Sequence, residues 1–510
     1  MKIKTIVMPN SYRDSVFLMK LSGQAKEEGG AETVSAMMAT IRNKELFEAS
    51  GLMTPEIQAA NPNDLVIAVR AEEDRLEIAA AAVVRMLEEA PAGKQDGPRG
   101  NAAPRTIDGA MAIDPKLNIA LVSVAGDYAR YEAGRAVANG LDVMLYSDNI
   151  SLADELALKI MASRKKLMVM GPDCGTAIVN KTPLAFANRV RSGPVGVIGA
   201  SGTGLQEVCC LLDRMGVGIS QAYGTGGRDL KDEIGGLATF TALDRLAADT
   251  DAKAVAILGK PPGNATRAKL VERCRRFGKR VFVHYMGVSD YSAEERAGMA
   301  TAGNLTDFSI MVAKHFVPPA ALDETDGGRP LPAGLKPGFL HGIFGGGTLC
   351  REAAELAASR LAGDKFSNLE VEGFTRITGK DRVEGHVFLD LGEDEFTVGR
   401  PHPMMAPELK MERLVDALRA PGVTVALIDM VIGYGSHPDQ ANMAVRAMEK
   451  ADKLSGGASR KTLVVASVCG TEGDAPSRSS QAAILEEAGV AVLASNARAA
   501  TWAARAAQGG

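Results

Sequence analysis

An α/β chain of several doubly wound parallel-sheet domains is what this sequence predicts, and three observations predict it. Short β-branched runs alternate with helix-period stretches from about residue 118 onward, and most runs end in a loop of Gly, Ser, Thr or Asp. That alternation marks βαβ units, whose strands are buried on both faces. The composition agrees, being 46% hydrophobic but only 5% aromatic, with 55 glycines and one tryptophan, which suits packed α/β layers better than a β-sandwich. At 510 residues, a rule of about 150 per domain gives three or four domains.

Residues 1–112 read as a small α/β or ferredoxin-like module with a linker. Strands at Thr5–Met8, Thr33–Ala39 and Leu65–Val69 alternate with helices at Ser15–Gln24, Asn43–Ala49 and Asp74–Glu89. Lys94–Pro104, rich in Gly, Pro, Ala and charge, reads as an exposed linker. Residues 113–192 carry the regular pattern: strand Asn118–Val124, helix Tyr128–Asn139, strand Asp142–Tyr146, helix Ser151–Arg164, strand Lys166–Met170. Their strand ends lead into Ala125-Gly126-Asp127, Ser147-Asp148-Asn149 and Gly171–Thr176. Ligands of open α/β sheets collect at such carboxyl ends.

Residues 193–322 repeat this logic, with Lys253–Leu258 leading into Gly259-Lys260-Pro261-Pro262 and Arg280–Tyr285 into Met286-Gly287. After a Pro/Gly/Asp-rich stretch, Asp323–Pro337, residues 335–510 read as a divergent copy. There Gly338–Phe344 meets Gly345-Gly346-Gly347-Thr348 and a helix, Leu349–Leu361. Val423–Met430 ends in Ile432-Gly433-Tyr434-Gly435-Ser436, and Leu463–Val468 ends in Cys469–Asp474.

The stretch that organises the chain is Pro194–Gly236. A strand (Val195, Val197, Ile198) meets Gly199-Ala200-Ser201-Gly202-Thr203-Gly204, and a helix follows with Leu205, Val208, Leu211, Leu212 and Met215 at helical spacing. Strand, glycine turn and helix expose free N–H groups at a positive helix end, which suits an anion. No Lys-Ser/Thr follows the last glycine, so this is not a Walker A loop, and the hydroxyls of Ser201 and Thr203 argue against a dinucleotide fingerprint. A small phosphate or carboxylate fits better; tight strand–helix packing is the plain alternative. Downstream, Gly226-Gly227-Arg228-Asp229 adds a guanidinium able to grip a carboxylate bidentately, or else an Arg–Asp pair capping the next helix.

The rest of the sequence excludes function classes. A net charge of −4 gives no electrostatic footprint for nucleic acid or an anionic membrane. No window approaches the ~18 unbroken apolar residues of a membrane span, so a soluble, cytoplasmic protein is expected. Six scattered cysteines without a CxxC make neither a disulfide framework nor a zinc site, and no metal-ligand spacing occurs. Cys174, in a glycine loop, reads as structural, as do His284, His315 and His341 in apolar contexts. His402 differs: in Val398-Gly399-Arg400-Pro401-His402-Pro403 two prolines stiffen a loop that holds it beside Arg400.

The chain resembles the FdrA family, relatives of succinyl-CoA synthetase. The resemblance is carried by SYRDSVFLM (11–19), NPNDLVIAVR (61–70), VMGPDCGTAIVNKTPLAFAN (169–188), VGVIGASGTGLQEVC (195–209), GGRDL (226–230), DLGEDEFTVGRPHPM (390–404) and DMVIGYG (429–435). It implies a Rossmann-like CoA-binding-type domain at 113–192 and flavodoxin-like domains of the synthetase α and β types at 193–322 and 335–510. It also implies phosphate held between two helix N-termini, at Ser201, Gly202 and Thr203 and at Gly433, Gly435 and Ser436. Where the synthetase carries phosphate on a His-Ala-Gly histidine, this chain reads Thr301-Ala302-Gly303. A hydroxyl cannot serve as a labile N-phosphate carrier. The family is implicated in allantoin breakdown as a subunit of oxamate carbamoyltransferase, which interconverts oxalurate plus phosphate with oxamate plus carbamoyl phosphate.

That resemblance implies other complex subunits as partners, with a homo-oligomer as a further option, and no required cofactor, phosphate or carbamoyl phosphate being substrate. Arg228 or Arg400 is expected to grip the oxamate carboxylate, with Gly226, Gly227 and Asp229 in the same loop, and His402 to polarise the carbonyl or move a proton. Two alternatives stand beside this reading: a succinyl-CoA-ligase-like enzyme with CoA at the loops around Ala125-Gly126 and Ser147–Asn149, and a non-catalytic scaffold subunit.

Overall fold

The computed structural model describes residues 2–11, 13, 15–89, 104–318, 329–379, 381–397, 400–457 and 461–509. They divide into two units, one of residues 1–103 with 396–402, the other of 104–395 with 403–510. Residues 94–103 of the expected linker and 323–328 of the second Pro/Gly stretch lie outside the described residues.

In the first unit β1 (Lys2–Met8), α1 (Ser15–Gly29), β2 (Thr33–Met38), α2 (Ile41–Ala49), α3 (Pro55–Ala59), β3 (Leu65–Ala71) and α4 (Glu73–Glu89) follow one another. The apolar run of β3 is central in an antiparallel sheet of order β1-β3-β2. Thr40 and Thr54 cap α2 and α3 with their hydroxyls, and Pro55 opens α3 where its missing N–H costs nothing. The short α3 was not expected from periodicity; its start is written in the Thr-Pro pair.

The second unit begins with α5 (Ile107–Ile113), β4 (Ile119–Val122), α6 (Gly126–Ala138), β5 (Asp142–Leu145), α7 (Leu152–Arg164) and β6 (Val169–Met170), a parallel sheet of order β4-β5-β6. The hairpin β7 (Thr176–Val179) and β8 (Thr182–Ala185) turns at Asn180-Lys181, both with positive φ, as a tight two-residue hairpin requires. Sequence reading groups this hairpin with the strands before it. The structure pairs β7 instead with a strand of the next sheet, because Ile178 aligns antiparallel to Ala222.

That next sheet continues with β9 (Ser192–Ala200), α8 (Gly202–Arg214), β10 (Ile219–Gly224), α9 (Leu237–Ala248), β11 (Ala254–Gly259), α10 (Asn264–Arg275), β12 (Arg280–Tyr285), α11 (Ser292–Arg296), β13 (Ala300–Thr301) and α12 (Leu305–Lys314). Its order is β13-β12-β11-β9-β10-β7-β8, so strand order reverses between β9 and β11. The third sheet of this unit follows: β14 (Phe339–Phe344), α13 (Gly347–Ala358), β15 (Lys365–Ser367), β16 (Thr375–Arg376), β17 (His386–Asp390), α14 (Asp394–Thr397), α15 (Glu408–Arg419), β18 (Val423–Val431), α16 (Gln440–Leu454), β19 (Leu463–Cys469), α17 (Arg478–Glu487), β20 (Ala491–Leu493) and α18 (Asn496–Ala507). Its order, β16-β15-β17-β14-β18-β19-β20, reverses between β14 and β18. Both reversals create a crevice outside the strand ends.

One cluster of buried apolar side chains runs through both seven-stranded sheets. It includes Val197, Leu205 and Leu212 from one and Leu340, Leu349, Ala353 and Trp502 from the other. Helices α8 and α13 pack on one another inside it. No helix among the described residues is long and apolar enough to cross a membrane.

Candidate functional site

The apolar run of β9 stops at Ala200 because Ser201 takes an extended conformation and caps α8, its Oγ accepting from the Gly204 N–H at 3.2 Å. The N–H groups of Gly202 and Thr203 have no partner among the described residues. In the other half, the carboxylate of Asp429 accepts from the N–H groups of Gly345 and Gly346, at 2.9 Å each, and α13 starts at Gly347. Buried Lys410 holds Asp429 through Oδ1 at 3.0 Å, so a charge pair fixes the turn that opens α13.

These two helix starts meet. Ser201 Oγ lies 2.6 Å from Thr348 Oγ1. The fit is reciprocal: a Cβ on Gly346 would sit 2.8 Å from Thr203 Cγ2, and one on Gly204 would sit 2.9 Å from Thr348 Cγ2. Neither helix has an acidic residue in its first turn. Each N-terminus carries about half a positive charge; Asp429 engages the two N–H groups just ahead of α13, while those of Gly202 and Thr203 at the start of α8 stay open to an anion.

The second N-terminus is therefore that of Gly345–Thr348, a correction to the expected pairing with Gly433, Gly435 and Ser436. Those three residues do not open a helix, since α16 begins at Gln440 behind Asp439. Gly433 and Gly435 have φ of 121° and 77°, and a Cβ on them would strike Ala187 O and the Phe186 ring. Tyr434 N donates to Ala187 O, so the loop clasps residues 185–188.

Arg228 is also corrected. Its Nε donates to Glu155 at 2.8 Å and its Nη2 to Ile150 O at 2.8 Å, which occupies the fork meant for a substrate carboxylate. Asp229 is wholly buried; it accepts from Lys159 Nζ at 2.7 Å and caps α9 through the N–H groups of Ala238 and Thr239. The plain reading of that pair was half right: the aspartate caps, the arginine braces α7. Gly226 and Gly227 keep N–H groups without a partner among the described residues. Arg400 and His402 belong to the first unit, and Val398 and Gly399 of their loop lie outside the described residues. Cys174 is buried, and burial pushes its thiol up to about 12, as a structural role requires. His284 is buried in β12, with Nδ1 at 2.9 Å from Ala302 O. Thr301 donates to Glu295 at 3.0 Å.

Two residues escaped sequence reading. Gly259 and Ala200 are register partners, so Lys260 and Ser201 leave the sheet side by side at the strand-order reversal. Lys260 is exposed and has no ion pair or hydrogen bond among the described residues. The last residue of β17, Asp390, is buried, and its Oδ2 would lie 2.4 Å from a Cβ on Gly347. Burial, then the nearby Glu393 and Asp429, push its carboxyl up to about 7 against the pull of Gly392 N–H and Lys260. A polar residue directly after an apolar strand was the only available signal for either.

Among the described residues of this unit Glu207 and Glu355 are raised as well, and three carboxyls, Asp390 included, reach about 6 or 7. Burial raises Glu352 to about 7, and loss of hydration with Asp148 raises Asp173, accessible yet enclosed by protein, to about 6. A carboxyl raised on folding binds its proton more tightly in the folded state, so stability is lost as pH rises toward the folded value. Loss of hydration lowers His284, His341 and His386, which act the opposite way over the same range, so a variant isolates the carboxyl contribution: Glu352→Gln should shrink the loss of urea midpoint, followed by Trp502 fluorescence, between about pH 5 and about pH 8. The same pH dependence in Glu352→Gln and wild type would contradict these shifts.

Comparisons with known proteins agree with this architecture. Residues 343–506 match the family profile described as CoA-ligase, and residues 190–273 that of the CoA binding domain. Residues 1–104 match a profile described as AllF, heavy metal-associated domain. The chain is 37% identical over 506 residues to a protein of Escherichia coli K12 described as uncharacterized protein YahF, covering 97% of this chain and 96% of that one. It is 27% identical over 186 residues to the succinate–CoA ligase (ADP-forming) subunit alpha 1 of Archaeoglobus fulgidus, covering 36% of this chain and 62% of that one. Among solved structures, PH0766 from Pyrococcus horikoshii aligns over 82% of this chain and 89% of its own, at 16% identity and a TM-score of 0.36. The second unit thus holds succinyl-CoA-synthetase-like CoA-binding and CoA-ligase domains, behind a small N-terminal module. The metal named in the N-terminal description does not suit these residues. Residues 1–104 contain neither Cys nor His, and no group of three His, Cys, Asp or Glu among the described residues could hold a metal.

Proposed function

This chain belongs to the same family as YahF, and from the geometry of its two converging helix starts we propose that it binds inorganic phosphate between α8 and α13 and exchanges it against an acyl leaving group. The observation that carries the reading is the 2.6 Å approach of Ser201 to Thr348 where two helix starts converge, with the N–H groups of Gly202 and Thr203 unpartnered among the described residues. Free N–H groups there hold phosphoryl oxygens and share the charge that develops during transfer. The product is an acyl phosphate. With Thr301 where a carrier histidine would stand, its phosphoryl group goes no further on this chain. The CoA-ligase-type domains favour an acyl thioester as donor.

A second donor, oxalurate giving carbamoyl phosphate and oxamate, is favoured by the start of α6. Asp127 sits in its first turn, and a Cβ on Gly126 would lie 2.6 Å from both Asp148 O and Asn149 O. The CoA loops expected around Ala125-Gly126 and Ser147–Asn149 therefore offer a pyrophosphate a carboxylate and a closed backbone.

The test is phosphate-dependent acyl phosphate formation, trapped with hydroxylamine as a hydroxamate, from succinyl-CoA and from oxalurate in parallel. The protein is assayed alone and with candidate partner subunits. Ser201→Ala removes the cap and one cradle hydroxyl and should weaken phosphate binding about tenfold, the equivalent of ~1.4 kcal/mol. Full activity in that variant, or a phosphorylated side chain during turnover, would sink the reading.

A further inference from the structure

We propose that Asp390 is the proton carrier of this site, its Oδ2 passing a proton to the departing group and recovering one from the phosphate held at the start of α13. The inference rests on the phosphate reading above and adds a catalytic residue to it. The side chain is 2% exposed, in the third sheet's final strand position before the crevice. Oδ1 accepts from the Gly392 N–H at 2.8 Å, whereas Oδ2 has no hydrogen bond among the described residues. That free oxygen lies against Gly347, the first residue of α13, and only a glycine there leaves it room.

That oxygen is not among the side-chain atoms shut off from solvent, so a bound anion or a departing group at the helix start can reach it. A cap would donate nothing and would ionise; here the acid form is favoured instead, so the oxygen can donate. Asp429 on β18, itself tied to Lys410 of α15, and Glu393 beyond β17 favour the protonated acid, and Lys260 beyond β11 opposes it. Cys350 on α13 is a buried thiol whose pKa lies well above its usual value, so it stays neutral. The resulting balance near neutrality is what a proton carrier needs.

The chemistry closes. The bond from acyl carbon to leaving group breaks as the bond from acyl carbon to phosphate oxygen forms. The leaving group departs with the Asp390 proton, and the resulting carboxylate takes the P–OH proton of the phosphate. Asp390 ends the cycle protonated, as it began.

Inorganic sulfate is the probe, because its charge is constant between about pH 6 and about pH 9 and any pH dependence then belongs to the protein. Wild-type affinity should fall by about tenfold per pH unit once Asp390 has ionised, through repulsion between two anions. Asp390→Asn, neutral throughout, should bind sulfate with a flat profile. A flat wild-type profile with binding intact overturns the proton carrier and leaves the phosphate reading standing. The same slope in Asp390→Asn does likewise. Absence of both sulfate and phosphate binding in the wild type removes the phosphate reading and this inference with it. Should Asp390→Asn not fold, the wild-type profile alone decides.

Discussion

Replacing Asp229 with alanine is expected to lower the unfolding free energy of the second unit by about 3–5 kcal/mol, the cost of breaking a buried ion pair from one side. Three things are lost together. Lys159, itself 2% exposed, loses its 2.7 Å partner and keeps Glu155 and Thr225 O. The N–H groups of Ala238 and Thr239 lose their acceptor at the start of α9, whose own cap residue, Gly236, has no side chain to replace it. Thr239 Oγ1 loses its 2.7 Å acceptor as well. The neighbouring substitution Arg228→Ala should cost much less, because a partly exposed guanidinium is screened by water. Urea unfolding followed by the emission of Trp502, the sole tryptophan, measures both. Equal costs for the two variants would show that the buried pair is not what holds this loop.

The second large effect is expected at Gly346. Its φ of −114° suits any residue, so backbone strain plays no part in Gly346→Ala. The added methyl would sit 2.8 Å from Thr203 Cγ2, 2.9 Å from its Oγ1 and 3.0 Å from its Cβ. Overpacking of this kind costs about 1–3 kcal/mol, and the relief available is separation of the two helix starts. Phosphate binding, read by equilibrium dialysis, should be lost. Thr203→Ala removes the two nearer atoms and should restore part of it, giving a non-additive pair. Undiminished binding in Gly346→Ala would mean that the approach of α8 to α13 does not form the cradle.

Much of this was legible beforehand for one physical reason: a βα turn is a local event. Ser201, its glycines and the helix behind it lie within a dozen residues, and periodicity with capping chemistry marks them. The partner was harder. Gly345–Thr348 and Gly433–Ser436 look alike as strings, and only the helix boundary at Gln440 and the packing of Gly433 on Asn188 tell them apart. Arg228 was misread because its partner, Glu155, lies on another helix 73 positions upstream. Lys260 and Asp390 gain meaning only from strand register, which places Gly259 beside Ala200, and from the packing that lays Asp390 on Gly347.

The apolar cluster shared by both large sheets has a consequence for selectivity. Since α8 and α13 take their bearings from the same interdigitated Leu, Ala and Phe side chains, the spacing of their first residues is set by that packed core. A guest must match that width as found. Trimming Leu212 to valine or Ala354 to glycine, a full helix length or two turns away, would retune which oxyanions are admitted without touching any atom that meets them.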